Sequence, residues 1–72
     1  MTSYIRLLDV VALTTDHPEQ SLVRGQVGTV VAILKPDHYE VEFCDDEGRT
    51  YAQAALGDDE LMILRYNPEQ AA

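Results

Sequence analysis

Seventy-two residues with 13 acidic against 5 basic side chains, a formal charge of −8 and 46% hydrophobic content describe one small folded domain rather than a disordered acidic tail. A chain this short buries only about 60% of the surface its unfolded form exposes, which limits it to a single modest core. The lone Cys44 rules out an internal disulfide, and no apolar run approaches the roughly 18 residues of a membrane-spanning helix.

The opening "MTSYIRLLDVVAL" carries no basic stretch before a long apolar run, so the expectation is an untargeted, cytoplasmic protein, with "MTS" disordered. "DVVALT" is rich in β-branched residues and predicts a first strand near positions 8 to 13. "TTDHPEQSLVRG" mixes Thr, Asp, Pro, Ser and Gly without periodicity and reads as a loop, with Leu22 and Val23 pinning its far end to the core. The apolar run from Val27 to Leu34 predicts a second strand, entered through Gly25 in a left-handed turn and bent at Gly28 by a bulge or a close backbone crossing.

Pro36 and Asp37 then predict a turn, because proline cannot continue a ladder and aspartate suits the tip. "YEVEF" alternates cleanly, placing Tyr39, Val41 and Phe43 on one face of a third strand and Glu40 and Glu42 on the other. "CDDEG" predicts a second hairpin turn, "RTYAQAAL" a fourth strand, and "GDDE" a short helical turn before a final strand "LMILRY". Five short strands and no helical periodicity point to an all-β fold, a small, strongly bent antiparallel barrel over residues 1–66, with 67–72 a disordered tail.

Three of these stretches in order, "RGQVGTVV", "YEVEF" and "GRTYA", resemble a family of short, uncharacterised bacterial proteins classed as a domain of unknown function. The resemblance covers Leu8 to Leu64 and implies an SH3-like barrel; "GQVGTVV" is also similar to the glycine-containing strand of KOW-type folds. It implies no catalytic or ligand residues. The family's members look like small companions of neighbouring-gene proteins, in arrangements reminiscent of toxin and antidote pairs. KOW-type relatives contact RNA, but the loops here are acidic rather than basic.

The charge balance sets the expected partners. Phosphate backbones are bound by clustered Lys and Arg, and Arg6, Arg24, Lys35, Arg49 and Arg65 stand singly along the chain, so no nucleic acid is expected and a basic protein surface is. Asp45, Asp46 and Glu47, together with Asp58 and Asp59, are the candidate contacts, which a closed barrel would bring together as one acidic face. Tyr51 beside Arg49 is the candidate aromatic contact.

The plain alternatives are solvated hairpin tips for the first carboxylates and caps on exposed amides for the second. The acidic string lacks the spaced calcium-loop pattern, and His17, His38 and Cys44 lack zinc-ligand spacing, so neither metal nor cofactor is expected. Catalysis through Cys44 and a histidine would need a pocket that so small a barrel rarely encloses, and no enzyme is expected. Tyr4, Tyr39, Tyr51 and Tyr66, with Phe43, read mainly as core residues whose tyrosine hydroxyls reach water, or as the groove of a peptide-binding adaptor. The resulting reading is an acidic, non-enzymatic protein-binding module of the antidote or immunity type. Its alternatives are an SH3-like adaptor for an extended peptide, a KOW-like nucleic-acid-associated module, and a homodimer paired through strand 39–44 as an exposed edge.

Overall fold

The computed structural model describes residues 5–65. Five strands follow in chain order: β1 (Val10–Leu13), β2 (Val27–Lys35), β3 (His38–Cys44), β4 (Thr50–Gly57) and β5 (Leu61–Ile63). Single 3-10 turns occupy Pro18–Gln20 between β1 and β2 and Asp58–Glu60 between β4 and β5. All neighbours pair antiparallel in the order β4-β3-β2-β1-β5, giving one open sheet with β4 and β5 at its edges. The expected small all-β antiparallel architecture is therefore present.

The sheet rolls for a reason visible in its connections. Only Asp58–Glu60 separates β4 from β5, yet the two lie at opposite edges. Across a flat five-stranded sheet the four spacings of about 4.8 Å would total about 19 Å. A 3-10 turn advances about 2 Å per residue, far too little to cross that gap. The edges must curl toward one another, and the concave face becomes the core. Val11, Val30, Val41, Phe43 and Leu56 are all fully buried within it.

Glycines 25 and 28 serve this path differently. Gly25 has φ +94° with open space where a Cβ would sit, so its backbone conformation alone calls for glycine. Gly28 pairs opposite Phe43 of β3, and a Cβ there would fall 2.6 Å from Val41 Cγ1 and 2.8 Å from the Glu42 carbonyl. The ladder is regular at this position, so Gly28 marks a tight approach between paired strands rather than a bulge or a crossing. The register breaks a little further on, between the Val30 and Ala32 pairs, and helps bend β2.

Several expectations need adjustment. Residues 6–9 form a turn, with the Asp9 amide donating to the Arg6 carbonyl (3.0 Å) and Leu8 at φ +72°, so the first strand starts at Val10 rather than near position 8. Leu22 is buried as expected, but Val23 is 56% exposed and does not pin the loop. The last strand stops at Ile63, short of the expected "LMILRY". Strand 39–44 is not an edge: β3 lies between β2 and β4, which removes it as a surface for self-pairing. The "MTS" segment, Tyr4, Tyr66 and the tail 67–72 fall outside the described residues.

In β3 the alternation held, with Tyr39, Val41 and Phe43 buried and Glu40 and Glu42 on the other face. The tight β2–β3 turn places Asp37 at φ +67°, a conformation aspartate tolerates better than most residues.

Candidate functional site

The residues singled out from the sequence fall at the two ends of β4. At one end, the β3–β4 turn carries Asp45, Asp46, Glu47 and Arg49, with Gly48 at φ +81°. The Asp45 carboxylate organises this turn. Its Oδ1 accepts from the Glu47 amide (2.9 Å) and the Arg49 amide (3.0 Å), and its Oδ2 accepts from Arg49 Nε (3.2 Å). Arg49 Nη2 also contacts Glu47 Oε1 at 2.6 Å. The Arg49 amide foremost, joined by the Glu47 amide and the Arg49 guanidinium, holds the Asp45 carboxyl below the usual carboxylate range against the opposing effect of desolvation.

Asp45 is thus occupied by its own turn, and Arg49 is neutralised by Asp45 and Glu47. Beside them stands Tyr51, 48% exposed, its ring tilted against Phe43 at 6.3 Å between centroids. Its hydroxyl accepts from Gln26 Nε2 at 3.2 Å. A shallow hollow is lined here by Gln26, Cys44, Asp45, Asp46, Glu47, Arg49 and Tyr51. Tyr39, by contrast, is the buried tyrosine of the core.

The other end of β4 carries the 3-10 turn Asp58–Glu60, and a second hollow is lined by Asp37, His38, Gly57, Asp58 and Asp59. Glu60 Oε1 accepts from the Gly57 amide (2.8 Å), which is one half of a capping box; glycine has no side chain to supply the other half. Glu60 also reaches the β1–β2 loop. Its carbonyl accepts from the Thr14 amide (3.0 Å), and its Oε2 lies 2.8 Å from His17 Nε2. That approach is within ion-pair distance.

The expected single acidic face is not formed. Cys44 pairs with Thr50 at one end of β4 and His38 with Gly57 at the other, so the turns are separated by an eight-residue strand, about 23 Å at 3.3 Å per residue. The same spacing parts His38 from Cys44 and Lys35 from Arg49. Cys44 is a free, exposed thiol. Among the described residues, no three His, Cys, Asp or Glu side chains converge as metal ligands would, and no helix is long and apolar enough to cross a membrane.

Sequence reasoning placed Glu60 only as a member of the "GDDE" turn, without its contacts to Gly57 and the β1–β2 loop, and gave Gln26 no role. For Glu60 a signal existed, since a Glu three residues after a turn-starting Gly57 matches the spacing of a capping box. For Gln26 there was none, because its contact with Tyr51 depends on how the β1–β2 loop lies over the sheet.

Fold and site together define a small all-β protein, an open rolled sheet with an acidic turn at each end of one edge strand. The chain belongs to the family Domain of unknown function (DUF4926), whose model matches residues 7–63. No curated protein and no solved structure matches it.

Proposed function

We propose that this chain is a non-enzymatic protein-binding module of the antidote or immunity type, which covers a basic surface on the product of a neighbouring gene. The observation that carries the reading is the placement of Asp45, Asp46 and Glu47 at one end of β4 and Asp58 and Asp59 at the other, on a chain of charge −8. Asp46, Asp58 and Asp59 are the foremost contacts, since Asp45 is spent on its own turn. Tyr51 contributes apolar area between the charges, with Arg49 beside it. The five-stranded rolled sheet supports the SH3-like reading of the fold, and the free thiol of Cys44 supports a reducing, cytoplasmic setting in a bacterial cell.

Coexpression with the adjacent gene product tests this directly. The expected result is a stoichiometric complex whose association rate falls steeply as salt rises, because screening shortens from about 10 Å at 0.1 M to about 3 Å at 1 M. A rate indifferent to ionic strength, or no complex, overturns the reading.

The half-exposed Tyr51 beside Gln26 favours one second reading, an SH3-like adaptor that holds an extended peptide on its aromatic surface. Binding of that kind survives Asp46→Lys with Asp58→Lys and is lost in Tyr51→Ala. The antidote reading requires the opposite ranking.

A further inference from the structure

We infer that the free edge of β4 is a strand-addition site for an extended segment of the partner protein, uncharged in its middle and basic at both ends. The inference rests on the acidic-partner reading above and adds the mode of binding to it.

The two edges of the sheet are unlike. β5 is three residues long, which is one of the ways proteins keep an edge from recruiting another chain. β4 is eight residues long, "TYAQAALG", with no charged residue and no proline to discourage pairing. Among the described residues its only strand partner is β3.

The alternation of an antiparallel ladder says which groups are free. The Asp58 amide donates to the Asp37 carbonyl (2.9 Å), and the register then runs without a break from His38 opposite Gly57 to Phe43 opposite Ala52. Counting along it, Leu56 and Ala54 fall at hydrogen-bonded positions, while Ala55 and Gln53 fall between them. The N–H and C=O of Gln53 and Ala55 therefore point away from β3, toward the open side. Both residues are exposed.

Charge chooses the occupant. A second copy pairing antiparallel through β4 would set the Asp45–Glu47 turn of one chain against Asp58 and Asp59 of the other, between two molecules of charge −8 each. Repulsion at both ends opposes that arrangement. A foreign strand with lysine or arginine at each end meets the same two turns favourably and gains the main-chain hydrogen bonds along the middle.

The probe is a synthetic peptide of about twelve residues, alternating valine and threonine with two lysines at each end, enough to pair along β4 and reach both turns. Three further peptides share its core: one has glutamates at the ends, and two carry N-methyl groups on one or the other alternate set of backbone nitrogens. At low salt the lysine-ended peptide should slow amide exchange at Gln53 and Ala55 and bind at least about tenfold more tightly than the glutamate-ended one. One N-methylated set should abolish binding while the other is tolerated, because only one edge of the peptide faces β4.

Equal binding by both methylated peptides, or exchange unchanged at Gln53 and Ala55, overturns strand addition while leaving the acidic reading intact. Loss of the preference for lysine ends removes the acidic reading as well. Protection of the same two amides in concentrated protein without peptide, with dimers seen by sedimentation, would assign the edge to a second copy and overturn the proposal.

Discussion

The two acidic turns that bracket β4 are built from the same residue types and are held in opposite ways. The turn at Asp45–Arg49 is self-contained: every hydrogen bond of the Asp45 carboxylate goes to Glu47 or Arg49, within four residues. The turn at Asp58–Glu60 is tied to a distant part of the chain, through Thr14 and His17 of the β1–β2 loop. A local turn can be altered without disturbing the core, whereas the second turn also fixes how the loop closes over the sheet. This is why a similar run of carboxylates can project freely at one end of β4 and act as a fastening at the other.

That contrast can be broken first at its long-range side. Leu22 is buried next to the His17 bridge, so Leu22→Ala should lower unfolding free energy by about 2–5 kcal/mol, whereas Val23→Ala should change it by less than about 0.5 kcal/mol. Urea midpoints of the two variants measure the difference, and equal losses would show that the loop is not anchored through Leu22.

Glu60→Ala comes next. It removes the acceptor of the Gly57 amide and leaves the nearly buried His17 Nε2 facing no carboxylate, for an expected loss of about 1–3 kcal/mol. Faster amide exchange should appear in the β1–β2 loop as well as in the turn itself. An effect confined to residues 57–60 would reduce the fastening to a local cap.

At the self-contained turn the effects should be smaller and local. Gly48→Ala forces a Cβ into φ +81° with no contact to relieve or worsen it, and should cost about 1 kcal/mol without altering exchange in the loop.

The smallest effect is the pH dependence of Asp45. Its folded-state pKa is lowered, chiefly by the Arg49 amide. The stability it contributes is therefore fully present above the unfolded value of about 3.9 and disappears as pH falls through the lower folded value. Asp45→Asn should be less stable than the parent at neutral pH, and the gap should close in strong acid. A gap that widened on acidification would mean that the carboxylate is not the group holding the turn.

How far these features could be read in advance varied with their range along the chain. Tyr39, Val41 and Phe43 were legible because a period of two depends only on neighbouring residues, and Pro36, Asp37 and Gly48 because turn chemistry is equally local. Val23 was misread because burial of a loop residue depends on where the rest of the sheet lies. β3 was misread as an edge because strand order does not appear in any local pattern. Of the candidate site, the carboxylates themselves were evident, but their separation and the self-pairing of Asp45 with Arg49 were not.

The sequence by itself determined the all-β class, the single core, the turns that join β2 to β3 and β3 to β4, and the excess of negative charge, since each follows from residue type, spacing or simple summation. The tertiary structure decided which strand stands at the edge, which glycine is pressed closely by a paired strand, and that two acidic runs lie about 23 Å apart. Those outcomes come from pairings between residues far apart in the chain, where the geometry of the whole sheet outweighs any local preference.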